Sequence, residues 1–201
     1  MKKILQKFLL KIKLLLGMKV ISLDFDGPIF NLEHLHAEHI LQNYDKKYHS
    51  SEVTHWEYLY ENYPSITECW TNWENYKKAP FVDGALEFIE ELKKRYGSSA
   101  LQIVTSSPVS IQEEKTKMIT DILGIDVIHV TKEAKSIYTK GTILIDDATH
   151  NIVDHLENTS DFGILFDLDG QFGWNKEFIP CERSARNETY DEVLQCLEKN
   201  L

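Results

Sequence analysis

Two stretches place acids two residues apart beside a glycine: Asp24-Phe25-Asp26-Gly27 and Asp167-Leu168-Asp169-Gly170. Carboxylates at that spacing can divide the work on a phosphate ester. One attacks phosphorus and forms an acyl phosphate, so that one hard step becomes two. The other protonates the leaving oxygen and then activates water. Gly27 lets the chain turn sharply after the pair. Three more clusters suit the same chemistry: the hydroxyls of Thr105-Ser106-Ser107, the lysines at 132 and 135, and the acid pair Asp146-Asp147. A hydroxyl and an ammonium would hold phosphoryl oxygens, where charge builds in the transition state. Carboxylates alone would repel a phosphate dianion. A divalent cation resolves this, and all-oxygen ligands suit Mg2+.

Each cluster follows a short apolar run. Lys19–Leu23, Leu101–Thr105, Val127–Val130 and Thr142–Ile145 read as strands, and Gly163–Phe166 as a fifth. Helical patterns at Ala85–Tyr96, Ile111–Leu123, His150–Leu156 and Glu188–Asn200 alternate with them. The fold expected is α/β: a Rossmann-like parallel five-stranded sheet with helices on both faces. In such sheets ligands bind at the carboxyl ends of the strands, so acid, hydroxyl, lysine and acid pair converge on one edge. No comparable strand, lysine and acid pair follow Asp167–Gly170, which therefore reads as a turn that could line the rim of the site.

The stretch from 30 to 79 is too long for a simple strand-to-helix connection and reads as a small helical cap inserted after the first strand. The core is then 18–29 with 80–201. Trp56, Tyr58, Tyr60, Tyr63, Trp70, Trp73 and Tyr76 crowd the cap. Most suit packing, and one or two suit stacking on a nucleobase. His34, His36 and His39 lack the carboxylate or cysteine pattern of a tetrahedral metal site and read as a solvated helix. His150 and His155 read as surface residues.

The 201 residues include 22 Lys and Arg against 32 Asp and Glu, a net charge of −10. That balance disfavours a polymeric nucleic-acid partner but allows a small phosphorylated substrate, whose charge a metal can match. Three cysteines without a CxxC pair make a poor disulfide framework and suit a reducing, cytoplasmic setting. Residues 1–17 form an amphipathic basic extension. Ile4, Leu5, Phe8, Leu9, Ile12, Leu15 and Leu16 share a stripe, and Lys3, Lys7 and Lys11 repeat every fourth residue away from it. It is too short to span a bilayer. Weak membrane-surface contact and packing on the domain are both open, as is a start at Met18.

Taken in order, DxDG, a strand ending in Thr-Ser, a lysine and an acid pair resemble the haloacid dehalogenase-like superfamily. The second acid points to its phosphatases, since its ATPases typically carry threonine there and its dehalogenases lack the acid. A narrower resemblance is to the 5'(3')-deoxyribonucleotidase group. It lies in the short helical cap, in Val104-Thr-Ser-Ser-Pro108, and in Leu144-Ile-Asp-Asp147 followed by Asn151. It covers about Lys19 to Phe166. It implies a Mg2+-dependent phosphomonoester hydrolase acting through an aspartyl phosphate, with a 5'-nucleotidase activity on (deoxy)nucleoside monophosphates. Asp24 would be nucleophile and metal ligand. Asp26 would be general acid and base, with its carbonyl on the metal. Thr105, Ser106 and Lys135 would bind phosphate, Asp146 the metal, and Asp147 would act behind it. Lys132 is a rival to Lys135. Pro28 stands where the group has threonine or valine, and one extra residue separates Lys135 from Asp146. Alternatives are another small phosphorylated metabolite, a nucleic-acid 3'-end, or a silent binding module of the same fold.

Overall fold

A computed structural model describes residues 2–201 apart from Trp56 and Lys132, with the backbone alone for Lys2, Lys3, Ile4, Gln6 and Lys7. The cap aromatic and the rival lysine expected at 56 and 132 therefore lie outside the described residues. In chain order the elements are α1 (Lys2–Leu15), β1 (Val20–Leu23), α2 (Leu32–Tyr44), α3 (Tyr58–Asn62), α4 (Glu68–Thr71), α5 (Trp73–Tyr76) and α6 (Ala85–Tyr96). Then follow β2 (Leu101–Ser106), α7 (Gln112–Leu123), β3 (Asp126–Val130), α8 (Ser136–Thr139), β4 (Thr142–Asp146), α9 (Thr149–Asn158), β5 (Gly163–Phe166), β6 (Ser184–Asn187) and α10 (Tyr190–Asn200).

All strands pair in parallel, in the order β3-β2-β1-β4-β5-β6. Every residue of β1, β4 and β5 is buried, as expected for strands covered on both faces. Ile21, Leu23, Ile143 and Ile145 share one core with Ile89, Leu92 and Val193 of the helices. On other faces of the sheet, Leu144 and Leu165 meet Ile152 and Phe178, and Val104 and Ile128 meet Tyr138. The α10 start is fixed by a capping box, Thr189 with Glu192.

Among the described residues the sheet has six strands, not five. Ser184-Ala-Arg-Asn187 carries no apolar run, so nothing in its pattern marks a strand. Backbone pairing to Gly163–Phe166 makes it one, at the sheet edge. Two histidines also depart from expectation. His155 is fully buried, with Nδ1 2.9 Å from Thr139 Oγ1. His36 is buried as well. His150 is exposed, as expected, and lines a cavity. Of the other two histidines read as a solvated helix, His34 is exposed and ion-paired with Glu38, and His39 is half-buried and bonds Ser65.

Between β1 and α6 the chain makes α2 to α5. It leaves and re-enters side by side: Asn31 N–H donates to the Pro80 carbonyl at 2.9 Å, and Val82 N–H to that of Ile29 at 2.9 Å. Asn31 also caps α2, accepting from His34 N–H at 3.0 Å. No described helix is long and apolar enough to cross a membrane.

Candidate active site

Strand order reverses between β1 and β4, which lie side by side while the chain continues outward from each in opposite directions. That switch point opens a crevice at the carboxyl edge. Asp24 follows β1 and continues its ladder, donating N–H to the Ile145 carbonyl at 2.8 Å. Asp146 closes β4. Lys135, in the turn before α8, joins them: its Nζ is 2.6 Å from Asp24 Oδ2 and 2.7 Å from Asp146 Oδ2. The second oxygens are also held. Phe25 N–H donates to Asp24 Oδ1 at 2.7 Å. Ala148 N–H and Asn151 Nδ2 donate to Asp146 Oδ1 at 3.0 and 2.9 Å. Gly27 has φ +88°, and a Cβ there would fall 2.3 Å from Asp147 Oδ2. Backbone and neighbour alike demand glycine at 27.

Carboxylate oxygens of Asp24, Asp146 and Asp147 lie within 4.8 Å of one another, all buried. Burial raises the Asp24 carboxyl to about 7, although Lys135 pulls it down. Burial, then Asp146 and Asp24, raise Asp147 well above the carboxylate range. Burial disfavours the Lys135 ammonium, but Asp146 and Asp24 outweigh it and hold its pKa raised. Three carboxylates thus share one ammonium, an excess of two negative charges when all are ionised. A dipositive ion with a taste for oxygen fits that set.

Asp26 sits beside this cluster with a different lysine. Lys115 Nζ, fully buried on α7, donates to Asp26 Oδ2 at 2.6 Å and to Thr105 Oγ1 at 2.9 Å. Its ammonium lies over the rings of Phe25 and Tyr76 at 5.4 and 5.0 Å. The Tyr76 hydroxyl donates to Asp26 Oδ1. Burial, then Asp26, raise the tyrosine's pKa well above its ordinary value, so it stays a donor. Neither residue was singled out for chemistry by sequence. The available signal was Lys115 falling between Ile111 and Ile119 on the buried stripe of its helix. Thr105, expected on phosphate, is instead fully buried with its hydroxyl on Lys115. Ser106 and Ser107 line the cavity, because β2 runs on to Ser106.

That cavity measures about 560 Å³. Asp24, Asp26 and Lys135 lie at one side, and Leu59, Tyr60 and Trp70 of the inserted segment at another. Of the cap aromatics, Tyr60, Trp70 and Tyr76 reach it; Tyr58, Tyr63 and Trp73 pack behind. Glu33 and His36 also line it. Glu33 accepts from Tyr48 and, at 2.8 Å, from His36 Nδ1. His36 Nε2 is buried with no hydrogen-bond partner among the described residues. Asp167 of the second DxDG is far from free: it is ion-paired with Arg186 and accepts from Phe172 N–H at 2.9 Å.

No family model matches the chain, and no curated protein matches it. Among solved structures, a putative haloacid dehalogenase-like hydrolase from Burkholderia xenovorans LB400 is similar. Its TM-score is 0.55 at 12% identity, over 88% of this chain and 97% of that one. At that identity the likeness is one of fold: the chain has the parallel α/β architecture of that hydrolase.

Proposed function

We propose that the protein is a haloacid dehalogenase-like phosphatase that hydrolyses a small phosphomonoester, in the first instance a nucleoside 5'-monophosphate. One observation carries this reading. Lys135 joins Asp24 to Asp146 at the switch point, while Asp26 faces the same cavity on its own lysine.

Asp24, Asp146 and Asp147 would hold Mg2+, with the Asp26 carbonyl a further candidate. When bound, that ion offsets the repulsion between carboxylates and the phosphate dianion. The chain's own residues do the rest. An Asp24 oxygen attacks phosphorus, and the bond to the ester oxygen breaks. Its electron pair stays on the leaving oxygen, which takes a proton from the Asp26 carboxyl and departs as the alcohol. The Asp26 carboxylate then takes a proton from water. The resulting hydroxide attacks phosphorus, the bond to Asp24 breaks, and phosphate leaves. Lys135, Ser106 and Ser107 offer donors to the phosphoryl oxygens. Thr105 acts a step behind, holding Lys115.

The nucleotide reading rests on the cavity's size and its Tyr60 and Trp70 wall, which suits a flat ring. The test is phosphate release from ribo- and deoxynucleoside monophosphates and sugar phosphates, with Mg2+ or EDTA. Mg2+-dependent release favouring nucleotides is expected. Release from sugar phosphates alone discards the nucleotide and keeps the chemistry. No release from any of them contradicts the reading.

A further inference from the structure

The apolar stripe of α1 is not used for packing. Leu5, Phe8, Leu9, Ile12, Leu15 and Leu16 recur at helical spacing and share one side, and all are exposed, Phe8 at 59% and Leu15 at 77%. The helix meets the body through its other side. Leu10 is buried, and Leu14, one turn on, closes over Gly141, where a Cβ would fall 2.4 Å from its Cδ1. The connection to β1 is short and hydrogen-bonded, with Gly17 N–H on the Leu14 carbonyl and Met18 N–H on that of Lys13, both at 3.0 Å. The stripe therefore faces outward from a helix seated on the body.

The charge is as unusual as the exposure. Residues 1–17 hold five of the chain's 22 basic side chains and none of its 32 acidic ones. An outward apolar face on a lysine-rich helix, in an otherwise acidic molecule, matches an anionic bilayer surface in both respects. A second copy of this chain would answer the apolar face but not the lysines, since each α1 carries the same positive charge.

We propose that α1 seats the protein on anionic membrane, lying in the interface with Leu5, Phe8, Ile12 and Leu15 turned into it. The topology gives this an orientation. Gly141 immediately precedes β4, and Leu14 covers it, so α1 sits at the amino edge of the sheet. Asp24 and Asp146 lie at the carboxyl edge. Seated this way, the cavity opens away from the bilayer, and its substrate arrives from solution rather than as a lipid headgroup.

The test is co-sedimentation of the full chain with vesicles of phosphatidylcholine and phosphatidylglycerol in equal parts, and with phosphatidylcholine alone. Binding to the anionic vesicles is expected, weakening with salt. F8D with L15D, and separately K11E with K13E, should each lower the bound fraction by about tenfold. These positions lie on a surface helix, and an unchanged thermal midpoint confirms that the body is intact. Three outcomes overturn the proposal: no binding of the wild type to anionic vesicles, equal binding by both variants, or self-association in solution that F8D with L15D abolishes while vesicle binding is absent. None of them depends on which substrate the cavity takes.

Discussion

Lys115 Nζ lies 2.6 Å from Asp26 Oδ2, while Lys135 lies 2.6 Å from Asp24 Oδ2, so the two acids of one motif have separate lysines. The ammonium of Lys115 is delivered from α7 and the Tyr76 hydroxyl from α5. Between them they take both oxygens of Asp26 and fix the orientation of its carboxyl group. Lys115→Met and Tyr76→Phe should each lower kcat by about 10- to 100-fold on an alkyl phosphate, part of what general acid catalysis supplies. The loss should be smaller on 4-nitrophenyl phosphate, whose leaving group needs less help. Equal losses on both would assign these residues to structure alone.

The excess negative charge at Asp24, Asp146 and Asp147 predicts a cation-dependent stability. Mg2+ at a hundredfold over its Kd should stabilise the fold by about 2.7 kcal/mol, or roughly 5 to 10 °C in thermal midpoint at this chain length. Asp147→Asn should shrink that shift. A midpoint indifferent to Mg2+ and EDTA in the wild type would remove the metal from the account.

His155 gives a pH dependence remote from the site. Burial lowers its pKa in the folded chain. As pH falls, the unfolded chain takes up this proton first. The neutral ring's contribution is therefore complete above the ordinary histidine value of about 6.5 and is lost as pH falls through it toward the folded value. Wild type should exceed His155→Asn in thermal midpoint at pH 8, and the gap should narrow by pH 5. A gap that widens on acidification would reverse the sign.

His36 bears on what the cavity selects. The Glu33 carboxylate can only accept, so His36 Nδ1 carries a proton, and Nε2 of the neutral ring is an acceptor without a donor among the described residues. A ring N–H on the substrate would answer it. Wild type should favour thymidine 5'-phosphate over its N3-methyl analogue in kcat/KM, and His36→Phe should cut that preference by about tenfold. A preference that survives the substitution would take His36 out of recognition.

Much of the site is legible in the sequence because acids and Lys135 stand at or just beyond the ends of apolar runs, where a parallel sheet delivers them to one edge. What escaped depends on packing. Lys115 and His36 are single polar residues within helices, and which side is buried is set by neighbours far along the chain. Thr105 and Ser106 differ by one position at a strand end, and where β2 stops decides which of them faces the cavity. Strand β6 is held by backbone pairing and by polar contacts such as Arg186 with Asp167, so its side chains carry no periodic apolar signal. For α1 the stripe was plain, but only the placement of Leu10 and Leu14 shows that it faces outward.

The most direct test of the account is the site of the covalent phosphate. Asp26→Asn, which slows hydrolysis of the intermediate, would be mixed with a turned-over phosphomonoester and Mg2+, quenched in acid, digested and read by mass spectrometry. The account predicts phosphate on the peptide that contains Asp24, and none in Asp24→Asn. Phosphate on another residue, or full turnover by Asp24→Asn, would contradict it.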